Sequence, residues 1–110
     1  MTVGELVREL GLEVLVAGDL EADVHGGYCA DLLSEVLAHA AKGDIWITHQ
    51  KHLNVVAVAK LKEIGAVVLV RGLRPPQEVT DRARAEGVTI LVSPTSAFET
   101  AGRIHRALFP

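Results

Sequence analysis

The segment Ala66–Val70, AVVLV, carries no polar side chain at any position. A strand with water on one face alternates apolar and polar residues. An unbroken apolar run marks a strand covered on both faces, as in a parallel sheet flanked by helices. Val88–Val92, VTILV, reads as a second buried strand. Between them Pro75-Pro76 opens a helical segment, with proline suited to the first turn, and Gly87 closes it.

The same alternation extends along the rest of the chain. Thr2 and Glu5 have the spacing of a capping box, and Gly11 ends the helix they start. Glu13–Val16 predicts a strand. Leu20, Ala22 and Val24 alternate with Glu21 and Asp23, which predicts a second, half-exposed strand. Gly26 and Gly27 then read as a turn into a helix. Its apolar positions Cys29, Leu32, Leu33, Val36, Leu37 and Ala40 follow the helical period, and Gly43 closes it. Asp44–Thr48, DIWIT, is a short strand. Leu53–Ile64 is a helix that is apolar nearly all round, with Gly65 after it. Ser96 and Glu99 repeat the capping-box spacing, and the last helix sets Phe98, Ala101, His105 and Leu108 on one face. The order is α-β-β-α-β-α-β-α-β-α. It predicts an α/β fold, a layered and mostly parallel sheet with helices on its faces, in one domain spanning 1–110.

Composition narrows the function. The chain has 49% hydrophobic residues, 4% aromatic residues and a net charge of −3. With no basic excess and no aromatic platform, a nucleic-acid partner is not expected. No apolar run approaches the ~20 residues that span a bilayer. The start, MTVGELVREL, is amphipathic rather than a signal peptide. Cys29 is the single cysteine, so no internal disulfide can form. The expectation is a soluble cytoplasmic protein without a membrane partner.

Ligands of open α/β sheets bind beyond the carboxyl ends of the strands. The loops at that position are Thr48-His49-Gln50-Lys51-His52, Arg71-Gly72-Leu73-Arg74 and Ser93-Pro94-Thr95-Ser96. The candidate ligand-binding residues are therefore Thr48, His49, Gln50, His52, Arg71, Gly72, Ser93, Thr95 and Ser96, a set suited to a small anion or a nucleotide. Gly26 and Gly27 join them if their amides face an anion at a helix start. The alternative for the two glycines is a permissive turn, and Asp31, in the first turn of that helix, would repel a phosphate. His49 and His52 stand three apart, but two histidines are too few for structural zinc, and no metal or cofactor is expected. Phosphate-loop, dinucleotide and nucleophile-elbow signatures are missing. Cys29 falls on the apolar stripe of its helix, which suits a buried thiol. His25, His39 and His105 read as surface positions.

The run DVHGGYCADLLSEVLAHAAKGDIWITHQKHLNVVAVAKLKEIGAVVLVRG, with the later SPTSAFETAGRIHRAL, resembles a DRTGG domain over residues 12–108. Asp23, Gly26 and Gly27 match the name motif, whereas Val24 and His25 stand where the family has Arg and Thr. The resemblance implies a fold like the N-terminal domain of HPr kinase/phosphorylase. It also implies a regulatory or assembly role beside metabolite-regulated enzymes, such as pyrophosphatases with CBS domains. Kinase activity is not implied, since the phosphate loop belongs to a different domain.

Three functions follow as expectations: a non-catalytic regulatory module sensing an adenine nucleotide or another small anionic metabolite, a purely structural protein-interaction unit, or a small enzyme using His49 or His52. A homodimer is expected too, because the Leu53–Ile64 helix has almost no polar face and the resemblance implies domains of multisubunit enzymes. The other reading of that helix is the centre of a monomer core.

Overall fold

A computed structural model describes all residues, 1–110. The elements are α1 (Val3–Leu10), β1 (Glu13–Val16), β2 (Gly26–Cys29), α2 (Leu33–His39), β3 (Asp44–Thr48), α3 (Asn54–Leu61), β4 (Ala66–Leu69), α4 (Gln77–Glu86), β5 (Ile90–Val92) and α5 (Ala97–Leu108). They form one five-stranded sheet in the order β1-β5-β4-β3-β2. Strands β2 to β5 are parallel, and β1 closes the far edge antiparallel to β5.

The helix placement follows from that order. Parallel crossovers are right-handed. Here β2, β3, β4 and β5 are laid side by side in one direction, so α2, α3 and α4 must all fall on one face. The other face is left to α1 and α5, which lie outside the crossover series. Two apolar clusters result. Trp46, Val67, Leu69 and Ile90 point into the three-helix layer, where they meet Val36, Val55, Val56, Val79 and Ala83. Ile45, Ile47, Val68 and Leu91 point the other way, toward Val3 and Leu6 of α1 and Ile104 of α5. The apolar runs that predicted a doubly covered sheet thus divide residue by residue between the layers.

Local chemistry sets the helix ends. Thr2 accepts the Glu5 amide at 3.1 Å and the Glu5 carboxylate accepts the Thr2 amide at 2.9 Å, a complete capping box. Gly11 and Gly87 take left-handed conformations at the ends of α1 and α4. Gly18 answers a different need. A Cβ there would lie 2.3 Å from the Gly87 carbonyl oxygen, so only glycine allows this loop to cross the end of α4. No helix is long and apolar enough to cross a membrane.

Several expectations need correction. Leu20–Val24 is not a strand. The carbonyls of Leu20 and Ala22 accept the Gly4 and Val3 amides at 2.8 and 3.0 Å, so this segment satisfies the open first turn of α1. The second strand is Gly26–Cys29 itself, paired in register with Asp44–Ile47. Gly26 and Gly27 are therefore not a helix-entry turn, and neither has a positive φ. Gly26 fits because a Cβ would stand 3.1 Å from the Asp44 carboxylate. Helix α2 begins only at Leu33, so Cys29 is an exposed strand residue and Leu32 and Leu37 are exposed rather than core. On α5 the buried face is Thr100 and Ile104, while Phe98 and His105 face outward. Finally, α3 is buried within its own subunit through Val55, Val56, Val58 and Ala59, as the monomer-core reading of this helix required.

Candidate ligand site at the carboxyl end of the sheet

Because β2 to β5 are parallel, their following loops emerge at one end of the sheet. Two of these loops are tied together by backbone hydrogen bonds. The Arg71 amide donates to the Thr95 carbonyl at 2.8 Å and the Gly72 amide to the Ser93 carbonyl at 2.9 Å. Arg71 is held with φ of 56°, a conformation that costs a non-glycine residue about 1 kcal/mol or more. The other such residue, Glu63, follows the end of α3, where left-handed geometry is usual. Arg71 instead closes a strand, is exposed and takes part in none of the chain's ion pairs. Those pairs join Arg74 to Glu13, Arg84 to Asp81, Lys42 to Glu63 and His49 to Asp31.

On the neighbouring strand end, Asp31 gathers Thr48 and His49. One carboxylate oxygen accepts the Thr48 hydroxyl at 2.9 Å and the His49 amide at 2.8 Å, and the other lies 3.1 Å from His49 Nδ1. Partial burial raises the Asp31 carboxyl. The His49 amide, the Thr48 hydroxyl and the His49 ring outweigh it and hold the group below the usual aspartate range. With Nδ1 turned to the carboxylate, Nε2 of His49 is the nitrogen left for a ligand. Residue 49 follows β3 and residue 71 follows β4, and these strands are adjacent. An oriented imidazole and an unpaired arginine thus follow the ends of adjacent strands, whose backbones run about 5 Å apart.

The other candidates divide by what already occupies their polar atoms. The Thr48 hydroxyl also accepts the Gln50 amide at 3.1 Å, so it shapes the turn. Ser93, Thr95 and Thr100 bond one another through their hydroxyls, with Ser93 buried. Ser96 caps α5 by accepting the Glu99 amide at 3.2 Å. His52 accepts the Asn54 amide through Nδ1, and so it serves the start of α3 while His49 serves Asp31. The Gln50 side chain takes part in none of these bonds, and Gly72, its amide spent on Ser93, follows Arg71 directly. Gly26 and Gly27 stand at the opposite end of the sheet from Thr48, since Gly26 pairs with Asp44. Asp31 is the residue that sequence reading assigned elsewhere. Recognising GGYC as a strand would have placed it directly in the strand-end loop.

Residues 5–107 match the DRTGG domain family. The chain belongs to this family. A solved structure with 16% sequence identity superposes with a TM-score of 0.70, covering 93% of this chain and 44% of that one. It comprises the CBS and DRTGG domains of the regulatory region of Clostridium perfringens pyrophosphatase, complexed with the activator diadenosine tetraphosphate. This chain therefore spans less than half of that protein segment, and the likeness shows that the DRTGG domain has the fold described above. Comparison with curated proteins returns no match.

Proposed function

We propose that this DRTGG domain is a non-catalytic regulatory module that works as a homodimer. It senses a small anionic ligand, a nucleotide or a phosphorylated metabolite, at the carboxyl end of β2 to β5. The observation that carries this reading is the pairing of the Asp31-held His49 with the carboxylate-free Arg71 at adjacent strand ends. Both are groups that bind a phosphate. The regulatory setting draws support from the pyrophosphatase region, whose activator is a nucleotide. The hydroxyls of Thr48, Ser93, Thr95, Ser96 and Thr100 are taken up in capping and bracing the loops.

A thermal-shift panel of inorganic phosphate, adenine nucleotides and phosphorylated sugars tests this. A ligand at 100 times its Kd stabilises by about 2.7 kcal/mol, which for a domain of this length is a rise on the order of 10 °C. Arg71→Ala and His49→Ala are expected to remove most of that rise while melting close to the parent without ligand. The absence of any shift with millimolar anions would overturn the reading.

A further inference from the structure

We infer that the outward face of α5 is the surface on which two copies of this chain pair, antiparallel, about a two-fold axis at Gly102. This names the interface of the proposed homodimer and rests on that reading. Phe98, Gly102, His105 and Phe109 follow one another at steps of four, three and four, which is a single helical stripe. The stripe faces water. Phe98 is 90% exposed and Phe109 56%, and the His105 ring packs on Phe109 with centroids 5.2 Å apart. Beside it a groove of about 720 Å³ runs between α5 and β2, floored by Gly27, Cys29 and Ile47. Single exposed apolar residues are ordinary, but two phenylalanines on one stripe beside a groove mark a contact surface.

The occupant follows from charge. Glu99 stands near the start of α5, and His105 and Arg106 stand near its end. In an antiparallel pair centred on residue 102, position 99 of one copy faces position 105 of the other, and position 98 faces 106. The acidic end of each helix then lies on the basic end of its partner, and this contact is made twice. Each Phe98 ring meets the partner's Arg106 and His105 turn at the mouth of the groove. An acidic peptide would satisfy Arg106 and leave Glu99 opposed by like charge. A second copy of this chain sets each Glu99 beside the partner helix's basic last turn, while Arg103, next to the axis, donates to the Leu10 carbonyl of its own copy. At the axis, a Cβ on Gly102 would meet nothing within 4 Å in the monomer, so the glycine leaves room for close approach of the two helices.

Sedimentation equilibrium of the full chain across micromolar concentrations tests the pairing, with Glu99→Arg, Arg106→Glu, the double exchange and Phe98→Ser. All three positions are exposed, and circular dichroism checks the fold. Wild type is expected to dimerise. Each single charge reversal should weaken the dimer about a hundredfold, because symmetry enters it twice, and the double exchange should restore it to within about tenfold. Phe98→Ser should weaken it without any change of charge. Single variants that dimerise like wild type would overturn the α5 interface and leave the homodimer standing. Weakening by both single reversals without rescue by the double exchange would overturn the antiparallel register. A monomer at every concentration would overturn both the interface and the dimer.

Discussion

The two faces of the sheet are built from the same apolar strands but are covered differently. On one face three crossover helices stand side by side, and Trp46 beneath them is fully buried. On the other face α1 and α5 divide the same sheet between them, and Gly27 and Cys29 of β2 stay exposed. The cause is topological. A one-directional series of right-handed crossovers fills one face automatically and leaves the other to the segments at its two ends. The closed face therefore carries the larger of the two apolar clusters. The open face carries its free surface, which is where the groove beside α5 lies.

That contrast can be broken most directly at Trp46. Truncation to Ala empties the centre of the closed face and removes the indole hydrogen bond to the Ala30 carbonyl, 2.8 Å long. The expected loss is about 3–5 kcal/mol by chemical denaturation. Cys29→Ser, on the open face of the neighbouring strand, should stay within about 0.5 kcal/mol of the parent. Comparable losses at the two positions would mean that the faces are not differently loaded.

Element order was legible on both faces. Continuous apolar strands, the Thr2 capping box and the glycines after α1 and α4 gave element order and fold class because each signal is local and reports burial directly. The segment 20–29 was misread because two patterns competed. Alternation at Leu20, Ala22 and Val24 looked like a strand, although those backbone groups serve the first turn of α1 across the chain. Glycine disfavours strands, so GGYC looked like a turn, although its pairing with Asp44–Ile47 decides otherwise. The same slip hid Asp31 and placed Cys29 in the core. On α5, Phe98 looked like core because hydrophobicity alone does not say which stripe faces the sheet. The polar loops could be found from the strand ends and the Ser96 cap from its spacing to Glu99, but the hydroxyl cluster of Ser93, Thr95 and Thr100 depends on how the loop folds against α5.

Two glycines sharpen the comparison at smaller cost. Gly18→Ala places a methyl 2.3 Å from the Gly87 carbonyl oxygen, against backbone that cannot yield cheaply. A loss of about 1–3 kcal/mol is expected in the same denaturation assay. Gly102→Ala lies on the open side, within α5, with nothing near the added methyl. There the monomer should gain about 0.5–1 kcal/mol from helix propensity, measured at concentrations too low for association. A loss at Gly102 in the monomer would show that the outer face of α5 is already packed.

The smallest expected effect is at Asp31, which belongs to neither face but to the end where the loops meet. Its carboxyl is held below the ordinary aspartate value of 3.8, so the unfolded chain takes up the proton first as the pH falls. Stability from this group is therefore complete above the unfolded value and is lost as the pH drops through the lower, folded one. The side chain is 52% exposed, and solvent screening keeps the contribution under about 1 kcal/mol. Asp31→Asn should thus cost little near neutrality, and the gap from the parent should close in melts taken below about pH 4. Its effect on the ligand site should be larger than its effect on the fold. Loss of the carboxylate frees His49 Nδ1, so anion binding by the variant should weaken while Arg71 is untouched. If binding weakens no more than stability does, His49 is held by the Thr48 turn and not by the charge of Asp31.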